Sequence, residues 1–291
     1  YTLPGKAARM ISGNFDGAYG GFGEAPKFPM PHNLLFLMMY ACLGGEKDIP
    51  DCKVILEQVK MTLMQMRRGG IFDQIGYGFS RYSTDRIYLV PHFEKMLYDN
   101  ALLIIAYAVA YRVFEEDTFL DTAKKTAAYV LREMTGEDGS FYCAQDADSD
   151  GGEGKFYVWS MEEVCHVLGE ERGRKFCAYY GITKQGNFEG KSIPHLLNGN
   201  PISEEFAQER EALYRHRASR MRLHLDDKIL TAWNGLMVSA MCVLYRVTGE
   251  GEYLLAAQKA ECFLAKNVME DGVIYVGCRS GVRLEKGFLD D

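Results

Sequence analysis

Two long stretches of the chain carry the same order of apolar and polar positions. "YDNALLIIAYAVAYRVFEEDTFLDTAKKTAAYVLREMTGEDGSFY" begins at Tyr98, and "AWNGLMVSAMCVLYRVTGEGEYLLAAQKAECFLAKNVMEDGVIY" begins at Ala232. Asn100 aligns with Asn234, Tyr111-Arg112-Val113 with Tyr245-Arg246-Val247, and Phe119-Leu120 with Tyr253-Leu254, at a spacing of 134 residues. A one-residue slip then places Asp138-Gly139 on Asp271-Gly272. Asn33 in "PHNLLFLMMY" stands 67 residues before Asn100, half of that spacing, and its segment also closes on a glycine turn, "RRGGIFD". Self-similarity at a fixed period is the mark of a repeat architecture.

Each repeat reads as two helices. The first is apolar nearly all round (Leu102 to Val113, Leu236 to Val247), as a helix covered on both sides must be. The second is amphipathic, with Phe119, Leu120, Ala123, Ala127, Val130, Leu131 and Met134 separated by charged residues. The pattern predicts inner and outer rings of αα-hairpins. A degraded unit, "SMEEVCHVLGEERGRKFCAYYGI" and "SEEFAQEREALYRHRASRM", keeps the helical pattern without the Asn signature. A β-hairpin is expected before it, from Phe141-Tyr142-Cys143 to Phe156-Tyr157-Val158-Trp159. A closed ring of six hairpins would need roughly 400 residues at this period. The expectation is therefore an all-α, incomplete (α/α)6 toroid of αα-hairpins with a small β-hairpin insertion. Residues 1–291 would form one domain that is truncated at the C-terminus, where "KGFLDD" resembles a lead-in to another inner helix.

The connection from Gly69 to Ala101 breaks the pattern. Helix–helix connections are usually two to eight residues long, and a much longer one is functional or disordered. Disorder favours polar, aromatic-poor sequence, whereas "GGIFDQIGYGFSRYSTDRIYLVPHFEKMLYDNA" is rich in Tyr, Phe and Gly. It is expected to be ordered and to form one wall of a ligand pocket. Gly69, Gly70, Gly76 and Gly78 would allow tight turns, and Pro91 would fix the approach to the inner helix.

Composition narrows the function classes. With 47% apolar and 25% charged residues the chain can bury a full core. A net charge of −7 argues against nucleic acid or an anionic membrane as partner. The dense basic run Arg215-His216-Arg217, Arg220 and Arg222 reads as a solvated helix end. No stretch reaches the roughly 18 uninterrupted apolar residues of a membrane span, and no signal peptide is visible. The eight cysteines form no Cys-x-x-Cys pair, and Cys42, Cys165, Cys177, Cys242 and Cys262 sit among apolar neighbours, which suggests reduced, buried thiols in a cytoplasmic protein.

The chemically rich segments stand just before inner helices: "GGFGEAPKFPMPH", "SRYSTDRIYLVPHFEKMLYDN", "RLHLDDKILTAWN" and "GFLDD". In a ring these lead-ins converge on one mouth. His92 and His224, eight and ten residues before Asn100 and Asn234, would then overhang a shared cavity, and an imidazole suits proton abstraction and return. Glu94, Asp73, Asp226 and Asp227 complete the catalytic candidates, since two carboxylates about 6.5–9.5 Å apart would suit inverting glycoside hydrolysis. The competing reading is that Asp99, Asp226, Asp227, Asp290 and Asp291 cap helices. Arg81, Tyr82, Asp146, Asp148, Trp233 and Asn234 are the substrate-binding candidates, with Tyr77 and Phe22 as further flat faces for a sugar ring. "DADSDGGEG" (Asp146, Asp148, Asp150, Gly151) opens like an EF-hand, but its twelfth position is Tyr157 and a strand-like "FYVWS" follows. No zinc spacing, G-x-G-x-x-G or P-loop is present. The sequence therefore makes no case for a metal or nucleotide cofactor.

"GGFGEAPKFP", "GGIFDQIGYGFSRYSTDRIYLVPHFEKMLYDNA", "DADSDGGEGKFYVWS" and "LDDKILTAWNGLM", in this order, resemble the YyaL/spermatogenesis-associated protein 20 family. Tyr88 stands where that family usually has Trp, and Leu223 where it usually has Pro. The resemblance implies the first part of a six-hairpin, glycosidase-like toroid, with a thioredoxin-like domain upstream and closing hairpins downstream. It also implies similarity to glycosidases and to N-acylglucosamine 2-epimerase-type enzymes. The expected partner is a carbohydrate or related small molecule, and the truncated ring is expected to self-associate. The rival expectation is a non-catalytic binding or redox-partner module that works with the thioredoxin-like domain.

Overall fold

The computed structural model describes residues 2–44, 51–149, 151–289 and 291. Asp150 of the calcium-like run and Asp290 of the terminal segment lie outside the described residues. Among the described residues the chain is mostly α-helical: α1 (Leu3–Gly13), α2 (Pro31–Cys42), α3 (Cys52–Arg68), α4 (Leu97–Phe114), α5 (Asp117–Glu133), α6 (Met161–Leu168), α7 (Glu170–Tyr179), α8 (Ala207–Arg217), α9 (Thr231–Thr248) and α10 (Gly251–Asn267). It divides into two compact units, one of Tyr1–Phe93 with Ala147–Leu223, the other of Glu94–Asp146 with His224–Asp291.

The second unit holds both copies of the strong repeat. α4 pairs with α5 and α9 with α10 as antiparallel hairpins, and α4 packs on α9. By length and composition α4 could cross a membrane, but it packs between α5 and α9 with most of its residues buried. α5 turns Phe119, Thr122, Ala123, Thr126, Ala127 and Val130 inward, which is the amphipathic stripe read from the sequence. The repeated asparagine makes the same contact in both hairpins. It stands four residues into the inner helix and its amide donates to the carbonyl of the residue before the helix: Asn100 Nδ2 to Met96 O at 2.9 Å, Asn234 Nδ2 to Leu230 O at 3.0 Å. A short amide in the first turn can bond back to the carbonyl four residues earlier, using that oxygen's second lone pair and tying the side chain to the helix start.

The first unit contains the α2–α3 hairpin, with α1 against α2, and the three shorter helices α6, α7 and α8. Trp159, Val164, Phe176, Cys177, Phe206 and Leu213 are among the residues that form the core of the α6–α8 part. The degraded repeat is thus helical as expected, with Gly169 in left-handed backbone (φ 79°) between α6 and α7.

Several expectations are corrected. Residues 141–159 do not form one β-hairpin. Ala144–Gln145 is the central strand of an antiparallel sheet with Lys95–Met96 and Leu225–Asp226 in the second unit. Asp148–Ser149 pairs with Gly152–Glu153 in the first unit, where Trp159 bridges to Ser192. Short strands find distant partners, which local alternation cannot specify. The basic run is not a solvated helix end throughout: Arg217 is a buried ion-pair partner and Arg220 is mostly buried, because each long side chain reaches back to carboxylates and carbonyls. Cys42 and Cys262 are exposed, since apolar neighbours in sequence need not share their face of a helix. In the terminal segment the Asp291 carboxylate accepts Phe288 N–H at 3.0 Å.

Candidate functional site

The second half of the glycine- and aromatic-rich connection is organised around the Asp85 carboxylate. Asp85 accepts the backbone N–H groups of Ile87 (2.7 Å), Leu89 (3.2 Å) and Val90 (2.6 Å), and the hydroxyl of Ser83 (3.2 Å). A Cβ at Gly69 or Gly70 would lie 2.1 Å from the carbonyl of Tyr88 or Leu89, so both glycines serve close backbone approach rather than turning. Left-handed backbone occurs at Tyr77 (φ 69°), Gly78 (φ 77°) and Tyr88 (φ 65°). The folded connection brings Tyr82–Ser83 against Pro91–His92, with Tyr82 directly opposite His92.

That register stacks the two rings, with centroids 5.1 Å apart and planes at 24°. Phe28 packs on Tyr82 at 4.9 Å and is itself half-exposed. Lys27 beside it is completely buried and holds this segment down. Its ammonium donates to Asp16 Oδ2 and to Gly20 O, both at 2.6 Å, and its backbone pairs with Ser83. Arg86 adds two hydrogen bonds to Asp16. Burial pushes the Asp16 carboxyl up, but the hydrogen bonds from Arg86 and Lys27 and from the Ala18 and Tyr19 amides outweigh it and hold it well below the usual carboxylate range.

His92 meets a residue that sequence reading missed. Its Nδ1 lies 2.7 Å from Glu153 Oε1, and the same oxygen accepts Phe93 N–H at 3.3 Å. An ionised carboxylate only accepts, so this contact puts a proton on Nδ1. This is the carboxylate–imidazole arrangement that fixes a tautomer for acid–base work. Glu153 sits on the hairpin whose opposite position is Asp148, and the signal for it lay in "DADSDGGEG", which offered a metal loop instead. Glu153 also lines a cleft of about 520 Å³ together with Ser149, Phe156, Phe188, Lys191 and Arg220. Pockets for small ligands run to about 300–1,000 Å³. None of the sequence-stated candidates lines this cleft directly; His92 reaches it through Glu153.

The other candidates in the first unit are placed differently. Asp73 forms a two-pronged ion pair with Arg217 (3.1 and 2.8 Å), with side chains 7% and 4% exposed, and also accepts the N–H groups of Ile75 and Gly76. A carboxylate so engaged is a brace, which corrects its assignment as acid or base. Arg81 and Tyr82 are half-buried and Asp148 is exposed.

In the second unit Asn234 is fully buried. Its Oδ1 accepts Phe141 N–H and its Nδ2 donates to Phe141 O, each at 2.9 Å, so it clamps backbone and is not a substrate ligand. Trp233 packs edge-on to Tyr98 at 4.8 Å, next to Met96 and Cys143. Asp226 meets Lys228 at 3.1 Å and the thiol of Cys143. Burial raises the Asp226 carboxyl, but those two partners prevail and keep it below its ordinary value, while burial and Asp226 push the Cys143 thiol up to about 12. Asp227 pairs with Arg279 at 2.7 Å, both half-exposed. His224 is exposed, and its carbonyl accepts Asp146 N–H at 2.9 Å. Glu94 is half-buried at the start of this unit.

No family model matches the chain. It is 35% identical to spermatogenesis-associated protein 20 of Homo sapiens over 306 residues, which takes in 92% of this chain and 39% of the human protein. The chain therefore spans about two fifths of the length of that relative. Similar solved structures include cellobiose 2-epimerase from Spirochaeta thermophila (TM-score 0.41, 17% identity, 97% of this chain and 90% of that one). Another is the unsaturated glucuronyl hydrolase of Bacillus sp. GL1 (TM-score 0.46, 13% identity, 84% of this chain and 48% of that one).

Proposed function

We propose, from the premise that this chain belongs with the spermatogenesis-associated protein 20 family to which it is homologous over 92% of its length, that it carries a carbohydrate-active site centred on His92 and Glu153. The reading is an isomerase- or epimerase-type proton transfer. His92 Nε2 takes the proton from the carbon beside the carbonyl of an open-chain sugar. Glu153 stabilises the resulting imidazolium through Nδ1. Return of the proton to the other face of the same carbon completes an epimerisation; return to the neighbouring carbon, with the hydroxyl proton passing from one enediolate oxygen to the other, completes an aldose–ketose isomerisation, and neither needs an oxidant or reductant.

The observation that carries this reading is the 2.7 Å contact between His92 Nδ1 and Glu153 Oε1, with the Tyr82 ring stacked on the imidazole. Tyr82 and Phe28 beside it supply the aromatic surface on which sugar rings pack. Hydrolysis is the weaker reading, because it needs one carboxyl that is protonated at working pH and a second that is available to water. Asp73 is tied to Arg217, and Asp226 is held ionised by its partners.

The test is to incubate the protein with mono- and oligosaccharides and follow both product identity and the number of reducing ends. The proposal expects new sugars with an unchanged number of reducing ends. A rise in reducing ends would support hydrolysis instead.

A further inference from the structure

The α6–α7 hairpin of the first unit brings two thiols together. Its helices are short, eight and ten residues, and they close on each other at a glycine. A Cβ at Gly173 would lie 2.7 Å from Cys165 Cα and 3.0 Å from Cys165 Sγ, so α7 comes this close to α6 because it has no side chain there. Cys177 stands one helical turn beyond Gly173, and residues four apart share a face of a helix. Its thiol therefore lies over the same part of α6, where it is hydrogen-bonded to the thiol of Cys165. Cys177 is fully buried in the core with Trp159, Val164, Phe176 and Phe206. Cys165 is partly exposed.

Two thiols in contact, one reachable from solvent and one sealed in the core, have the order of access that a two-step exchange needs. The reachable sulfur meets the oxidant, and the buried one resolves the mixed product. Burial raises the Cys165 thiol above its ordinary value, Glu170 and Glu162 add to the rise, and Arg174 opposes it. Thiolate is then scarce at neutral pH, so the first step is slow and quickens as the pH rises. Burial also pushes the Cys177 thiol up to about 12. The second step is favoured by contact rather than by acidity, because a partner already in place acts at a high effective concentration.

We propose that Cys165 and Cys177 form a reversible disulfide, a redox latch that ties α6 to α7, with a low-molecular-weight disulfide as the oxidant. The Cys165 thiolate attacks one sulfur of the small disulfide, the bond between its two sulfurs breaks, and one small thiolate leaves. Cys177 then gives its proton to solvent and attacks the Cys165 sulfur, which expels the second small thiolate. Two cysteine thiols are oxidised, one small disulfide is reduced, and the two protons released end on the small thiols. The test exposes the unaltered chain, Cys165→Ser and Cys177→Ala to oxidised glutathione, followed by acid quenching and peptide mass mapping. In the unaltered chain the peptides of Cys165 and Cys177 should be recovered joined and lighter by two hydrogens, and dithiothreitol should separate them. The join should form about tenfold faster per pH unit near neutrality. Cys177→Ala should stop at glutathione held on Cys165, and Cys165→Ser should leave Cys177 unmodified. The exposed Cys42 and Cys262 report that the reagent is active. Cys165 left as a thiol while those two carry glutathione, or glutathione that stays on Cys165 of the unaltered chain, overturns the proposal. So does a join that forms only in denaturant. The map of the unaltered chain decides by itself if either variant fails to fold.

Discussion

Asp73 and Arg217 illustrate how burial decides what a charged residue can do. Their two hydrogen bonds join groups that are nearly withdrawn from water, so removing one partner strands the other. Asp73→Ala should cost about 3–5 kcal/mol of stability, read by chemical denaturation. His92 and Glu153 are 29% and 43% exposed at the side chain, and a pair so solvated contributes about 1 kcal/mol or less. His92→Ala and Glu153→Gln should therefore leave the unfolding midpoint close to its original value while lowering turnover about 10²-fold or more. A large loss of stability with turnover intact would make this pair a brace as well. His92 was legible in "VPHFEK" because a histidine at a helix lead-in invites acid–base chemistry. Glu153 was not, because it lies 61 residues away in sequence and only the folded chain brings the two together. Asn234 was misread for a related reason: a polar residue at a helix start looks the same in sequence whether it faces a cavity or clamps a buried backbone.

At the scale of elements, the connection between α3 and α4 was correctly expected to be ordered, and its means of order were only partly visible. Its glycines were legible as a group, but two of them answer to carbonyls of the same connection that cross above them. The Asp16–Lys27–Arg86 cluster drew no notice, since nothing in "GGFGEAPKFP" announces that its lysine is buried. The cluster has a pH signature. Asp16 is held below its unfolded value of 3.8, so its contribution is fully present above that pH and is lost as the pH falls below it. Thermal unfolding between about pH 5 and pH 2 should show a steeper loss of stability for the unaltered chain than for Asp16→Asn, which starts less stable but cannot titrate there. Parallel curves for the two proteins would contradict the assignment.

At the scale of the whole molecule, the repeat made the α4–α5 and α9–α10 hairpins readable, because Asn100 and Asn234 mark equivalent turns of helices whose apolar character dictates burial. The strands were not readable in the same way. Two-residue strands such as Ala144–Gln145 carry no pattern of their own and exist only through partners at Lys95–Met96 and Leu225–Asp226. The basic run at the end of α8 shows the same limit, since Arg215 reaches Glu211 at the surface while Arg217 and Arg220 turn inward. The chain's function, on this account, depends on one non-local contact in the first unit, between His92 and Glu153. Its most direct test is incubation of reducing sugars, neutral and acidic, with the protein in deuterated water, followed by NMR of the recovered sugars. The account predicts deuterium bound to the carbon beside the carbonyl, at a rate that falls about 10²-fold or more in His92→Ala. Sugars recovered without carbon-bound deuterium, or an exchange rate untouched by His92→Ala, would contradict it.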